Sequence, residues 1–186
     1  MIGYAFCGSF CTLAASIAEL RALVARGFDV LPIMSFNVKA LDTRFYRAED
    51  FYREVKDITG REPVCTIEDA EPLGPKTKLD LLVICPCTGN TLAKLAAGIT
   101  DTPVTMAAKA HLRGDRPLLI ALSSNDAMSA NMKNIATLLE KKNVYFVPMR
   151  QDDPKNKPHS LVSNLSYMSE AIDAALSGKQ LAKLFC

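Results

Sequence analysis

The chain has 186 residues, 49% of them hydrophobic, enough to bury a substantial core in one large domain. Its 22 Lys and Arg stand against 20 Asp and Glu, a balance that excludes the strong field needed to gather nucleic acid or an acidic membrane surface. No apolar stretch reaches the ~20 residues that span a bilayer, so neither a membrane nor nucleic acid is expected as a partner, and any bound anion has to be held by local donors.

Met1–Phe6 opens the chain as a short apolar strand, ended by Cys7 and Gly8. It lacks the basic start and long apolar centre of a secretory signal; a cytoplasmic protein with its six cysteines reduced is expected. Thr12–Arg26 reads as a helix, with Leu13, Ile17, Leu20, Leu23 and Val24 at helical spacing and Gly27 placed for a left-handed stop. The second strand, Phe28–Met34, completes a βαβ unit. Arg44–Ile58 carries Phe45, Phe51, Tyr52 and Val55 among charges and predicts a half-exposed helix, followed by Gly60 and a short strand at Pro63–Ile67. Glu68–Lys78 holds two prolines and a glycine, a loop or broken helix.

Leu79–Cys85 is the third strand, and the Ala-rich stretches Thr91–Gly98 and Val104–Leu112 predict two helices after it. Pro117–Leu122 is the fourth strand. Ala130–Lys142 follows as a helix with Met132, Ile135, Leu138 and Leu139 on one face, and Val144–Pro148 as a fifth strand. Gln151–His159 predicts an exposed polar arm before a last helix, Leu161–Leu176. Strands alternating with helices predict an α/β fold: a doubly wound parallel sheet in a Rossmann-like three-layer sandwich, as a single domain over residues 1–186.

In such a sheet ligands bind outside the carboxyl ends of the strands. The loops there are Cys7-Gly8-Ser9-Phe10, Ser35-Phe36-Asn37, Pro86-Cys87-Thr88-Gly89-Asn90-Thr91 and Ser123-Ser124-Asn125-Asp126. They are rich in Ser, Thr, Asn and Gly, which donate hydrogen bonds to an anion without carrying charge, and helix starts beside them add free N–H groups. The same residue types also cap helices. The glycine pattern of neither a dinucleotide fingerprint nor a P-loop is present. Cys85-Pro86-Cys87 is too tight for a zinc half-site and has no histidine near it, so no metal is expected.

Pro86-Cys87-Thr88-Gly89-Asn90-Thr91 resembles the P-A-S-A-N-T loop of the flavoprotein family of homo-oligomeric flavin-containing cysteine decarboxylases. It follows a strand that includes Asp80-Leu81-Leu82-Val83-Ile84, as in that family, and Gly8-Ser9, Ser35 and Asn125 with Met128 agree in order. Longer runs, Pro86 to Leu95 and Gly98 to Arg113, with Gln151-Asp152-Asp153-Pro154 and Lys157-Pro158, are similar to the branch formed by dipicolinate synthase B subunits. This likeness covers nearly the whole chain. It implies a flavoprotein-like fold that binds FMN and a homo-oligomer built on trimers. It also implies a role in sporulation, where a small dicarboxylate, dihydrodipicolinate, is oxidised to dipicolinate with a nicotinamide-binding dipicolinate synthase A subunit.

On that resemblance the FMN contacts fall to Gly8, Ser9, Ser35, Thr88, Asn90, Thr91, Ser123 and Asn125, with Met128 against the ring and Phe10, Pro86 and Cys87 in the same loops. Decarboxylating members carry a catalytic histidine before the P-A-S-A-N-T loop, whereas Ser35 to Cys85 of this chain contains none. Flavin prenyltransferases of the same fold hold a phosphate with a late F-Y-x-x-P segment, where this chain has Gln151–Pro158. An oxidoreductase subunit, a prenyltransferase or decarboxylase, and a non-catalytic flavin-binding assembly subunit all remain open. No catalytic residue is singled out: His111 beside Arg113 suits a helix end, and Lys155, Lys157 and His159 suit either a dicarboxylate or solvent. Lys109 and Arg113 form either a carboxylate clamp or an exposed edge.

Overall fold

Seven strands and eight α-helices make up the computed structural model, which describes residues 1–186. Five parallel strands form its centre: β1 (Ile2–Phe6), β2 (Val30–Met34), β3 (Leu81–Cys87), β4 (Leu118–Ser124) and β5 (Val144–Phe146), in the spatial order β2-β1-β3-β4-β5. The order reverses between β1 and β3, because the chain first moves outward to β2 and then returns to the other edge of β1. At such a switch point the loops leaving neighbouring strands turn to opposite faces and open a crevice.

Alternation along the strands explains why helices cover both faces. Tyr4, Phe6, Val83, Cys85, Leu119 and Ala121 point to one side, where α1 (Leu13–Ala25), α3 (Ala48–Thr59) and α8 (Met168–Leu176) pack on them in a core of 22 buried residues. Ala5, Cys7, Leu82, Ile84, Ile120 and Leu122 face the other way, against α4 (Ile67–Ala70), α5 (Gly89–Ala97), α6 (Pro103–Leu112) and α7 (Met132–Leu139), in a core of 24. Two cores of nearly equal size make the sheet doubly wound, with apolar residues on both strand faces. Tyr4 ties three elements at the centre: its Oη donates to the Ser16 carbonyl at 3.0 Å, and Ser16 Oγ donates to the Cys85 carbonyl at 2.5 Å.

Several predicted boundaries move. β3 and β4 each run two residues further than the apolar pattern suggests, so Pro86, Cys87, Ser123 and Ser124 lie in strands rather than loops. The cause is pairing from a distance. Leu161–Ser163, expected to start the last helix, forms β7 instead, which runs antiparallel to β4 through Ser123↔Val162 and Ser124↔Leu161. β6 (Met149–Arg150) extends that ribbon, and the final helix waits until Met168. At the other end of the sheet, Arg44–Arg47 is a turn before α3 rather than helix, and Phe36–Ala40 forms a short helix, α2, capped by Ser35. Pro63–Ile67 supplies a single bridge, Val64 to Ile33. No helix is long and apolar enough to cross a membrane.

Candidate functional site

Loops leaving β1, β3 and β4 enclose a cleft of about 780 Å³, also lined by Arg44, Phe45, Asp152, Lys157, Ser160 and Val162, a size within the range of small-molecule and cofactor clefts. Its floor carries a triangle of hydroxyls. Ser9 Oγ lies 2.8 Å from Ser123 Oγ and 3.1 Å from Thr12 Oγ1, and the last two are 3.1 Å apart. Ser9 precedes a 3-10 turn, Phe10–Thr12, without capping it by its side chain, so its hydroxyl is free to join the group. Each hydroxyl rotates about its C–O bond, so all three protons can turn toward one incoming oxygen without moving a heavy atom.

A second set of donors comes from the start of α5. Thr88 is its N-cap, accepting from the Thr91 N–H at 3.2 Å. That leaves the N–H groups of Gly89 and Asn90, first-turn positions with no intrahelical partner, on two residues that line the cleft. Close packing holds the helix start in place. A Cβ at Gly89 would collide with Ser124 Oγ and sit 2.7 Å from Asn131 Nδ2 and 2.8 Å from Asp126 Oδ1. These three are bonded to one another: Ser124 donates to Asp126, and Asn131 Nδ2 donates to both Asp126 oxygens at 2.9 Å.

Because those atoms are mutually tied, they do not swing aside. Gly89→Ala is expected to destabilise the fold by about 1–3 kcal/mol, although alanine is otherwise the better helix former; chemical denaturation of the variant checks the sign. The Ser124 hydroxyl, with Asn131, holds the Asp126 carboxyl below the usual carboxylate range, against an opposing effect of burial. The stabilisation this group supplies is present above its unfolded-state pKa and is lost as pH falls through the depressed folded value.

The cleft lining holds two cations, Arg44 and Lys157, and two carboxylates, Asp126 and Asp152. Formal charge cancels, which leaves neutral hydroxyl and amide donors as its distinguishing chemistry. Of the residues singled out from the sequence, Gly8, Ser9, Phe10, Thr88, Asn90, Ser123 and Asn125 line it. The rest stand outside that lining. Ser35 accepts from the Val38 N–H at the start of α2, and Pro86 and Cys87 are buried within β3. Buried Thr91 donates to Cys7 Sγ at 3.3 Å, and Met128 is 41% exposed. Thr12, Arg44, Phe45, Gly89, Asp126 and Asp152 are lining residues that sequence patterns assigned to helix starts, loops or the arm. A hydroxyl three residues after Ser9 was the one readable signal, for Thr12.

Neither histidine lines the cleft. His111 is fully buried on α6, its Nε2 2.7 Å from the Pro117 carbonyl, and burial pushes its pKa down. Its role is to join α6 to the entry of β4. Among the cysteines, burial pushes Cys7 and Cys85 up to about 11 and raises Cys87 well above the ordinary thiol value, so these thiols pack as neutral groups. No three His, Cys, Asp or Glu side chains converge as a metal set.

The model of the flavoprotein family matches residues 2–171. The chain belongs to that family. Flavoprotein relatives agree along its length: it is 43% identical over 180 residues to the dipicolinate synthase B subunit of Bacillus subtilis (strain 168), covering 97% of this chain and 90% of the relative. The crystal structure of the dipicolinate synthase B subunit from Bacillus halodurans C superposes with a TM-score of 0.91 at 40% identity, covering 100% of this chain and 95% of that one. SpaF, an FMN-dependent cysteine decarboxylase, superposes with a TM-score of 0.69 at 27% identity over 94% of this chain and 95% of its own. Family and fold together support a flavin as cofactor.

Proposed function

We propose that residues 1–186 form one flavoprotein domain that holds FMN in the β1/β3 cleft and serves as the flavin subunit of a dipicolinate synthase, oxidising dihydrodipicolinate to dipicolinate during sporulation in the cytoplasm. The single observation that carries the flavin part is the hydroxyl triangle of Ser9, Thr12 and Ser123 beside the free N–H groups of Gly89 and Asn90. A phosphate monoester needs several donors converging from different directions, and neutral ones suffice where a helix start adds its partial charge. The residues present therefore fit the phosphate end of FMN. Phe10, which lines the cleft, offers apolar surface for the flavin ring.

Bound there, FMN supplies the two-electron acceptance that aromatising a dihydropyridine ring requires. The chain's own residues bind the phosphate, fix the ring's direction through Asn90 and Asn125, and limit water with Phe10 and Phe45. The likeness to dipicolinate synthase B subunits supports a nicotinamide-binding A subunit as partner. Exposed apolar side chains on and beside α5 and α7, Ile99, Met128, Met132 and Leu139, support self-association, in a homo-oligomer built on trimers. The decarboxylase alternative is disfavoured by a cleft lined without histidine.

Flavin fluorescence titration tests this reading. FMN is expected to bind wild type, and Asn90→Ala, which removes a side-chain hydrogen bond to the ring and keeps the backbone N–H, to weaken it by about threefold to tenfold, with thermal unfolding little changed because Asn90 is exposed. Absence of FMN binding by wild type overturns the assignment. Turnover of dihydrodipicolinate by the FMN-loaded chain mixed with an A subunit, followed by dipicolinate absorbance, tests the reaction itself.

A further inference from the structure

Arg44 is a cation on the cleft with no carboxylate in ion-pair range. The other cation, Lys157, is occupied by Asp152 at 3.0 Å, and Asp126 is held by Ser124 and Asn131. No hydrogen bond or ion pair engages the Arg44 guanidinium, which lies 4.8 Å from the centroid of the Phe45 ring. Cation–π contact of this kind orients the planar group and leaves its N–H fork open.

The turn that presents it is built rather than loose. Thr43 Oγ1 accepts from the N–H groups of Phe45 and Tyr46, both at 3.2 Å, and the Thr43 N–H donates to the Tyr46 carbonyl at 2.8 Å. Asp42 caps α3 by accepting from the Ala48 N–H at 2.8 Å. Tyr46 turns inward, its ring 5.2 Å from Phe51, which stands edge-on to Phe6 at 5.1 Å. With Tyr46 anchored in the core, Arg44 and Phe45 are directed onto the cleft.

Two groups able to meet an anion therefore line one cleft without bonding to each other. The hydroxyl triangle has no cation bonded to it, and Arg44 is not bonded to the triangle. We propose that Arg44 is the specificity-determining residue for substrate, its guanidinium donating to one carboxylate of a small planar dicarboxylate seated against Phe45. This rests on the FMN reading for its neighbour and deepens it by assigning the substrate's anchor. A guanidinium meets a carboxylate with two parallel N–H···O bonds, a geometry a lysine cannot reproduce.

The test titrates pyridine-2,6-dicarboxylate into the FMN-loaded chain, read by the flavin spectrum and by calorimetry, for wild type, Arg44→Ala and Arg44→Lys. Arg44→Ala is expected to weaken dicarboxylate binding by about tenfold or more, with Arg44→Lys in between and FMN affinity within about twofold of wild type. Pyridine itself, lacking carboxylates, should show no dependence on residue 44. Unchanged dicarboxylate affinity in Arg44→Ala, or no dicarboxylate binding by wild type, overturns the proposal. A loss of FMN affinity as large as the loss for dicarboxylate also overturns it, by assigning Arg44 to the phosphate. Should wild type bind no FMN, the flavin reading fails, and the same calorimetric series on the flavin-free chain still decides whether Arg44 anchors the dicarboxylate.

Discussion

Replacing Ser9 and Ser123 together by alanine is expected to weaken FMN binding by about 100-fold or more while lowering the thermal midpoint by only about 4 °C or less. Both oxygens belong to the triangle on the cleft floor, 2.8 Å apart, and either single replacement leaves Thr12 with one hydroxyl neighbour at 3.1 Å. A hydrogen bond to a charged phosphate is worth about 1.5–3 kcal/mol, and each 1.4 kcal/mol is tenfold in affinity. Singles are expected to cost about tenfold each. The fold suffers less because these partly buried hydroxyls exchange water for one another with a net worth of about 1 kcal/mol. Parallel flavin titrations and melts of the singles and the double check the difference. A double variant that binds FMN like wild type would place the phosphate elsewhere.

Phe51→Ala is expected to remove about 3–5 kcal/mol of stability, seen as a fall of about 6–20 °C in the unfolding midpoint for a chain of this length. Phe51 is almost fully buried on α3 and contacts Phe6 of β1 on one side and Tyr46 on the other. Alanine leaves a void that the rigid sheet on one side cannot close. Phe51→Leu, which keeps most of the volume, should cost far less. The same variant tests the link between core and cleft, since Tyr46 loses its support and the Thr43–Tyr46 turn with it. Denaturant unfolding of both variants, with dicarboxylate titration of the leucine form, measures the two effects. Equal midpoints for alanine and wild type would show that the aromatic chain carries no packing energy.

The central strands were legible because each is buried on both faces and so reads as an apolar run: Ile2–Phe6, Val30–Met34 and Leu118–Leu122 all lie inside the stretches their composition marks. The helix after β1 was legible for the opposite reason, a helical period that gathers Leu13, Ile17, Leu20 and Leu23 on one buried face and leaves mainly small alanines outside. What misled was the polar end of β4. Ser123 and Ser124 look like a loop, yet they pair with Val162 and Leu161, and the partner strand in turn looks like the first turn of a helix. Each segment is ambiguous alone, and only their contact selects the extended form. Arg44 and Phe45 were assigned to a helix by their spacing with Phe51 and Val55, while the Thr43 turn and the Asp42 cap delay the helix by four residues.

By itself, then, the amino-acid order determines which stretches extend, which coil, and that uncharged donors rather than basic side chains crowd the strand ends, because those properties reside in single residues and their near neighbours. Tertiary structure alone decides which donors meet. Ser9 and Ser123 are 114 positions apart in the chain, and they touch because β3 lies between β1 and β4 and the antiparallel ribbon prolongs β4 to carry Ser123 to the cleft floor. Pairing energies between distant strands set that convergence, and no local pattern contains them.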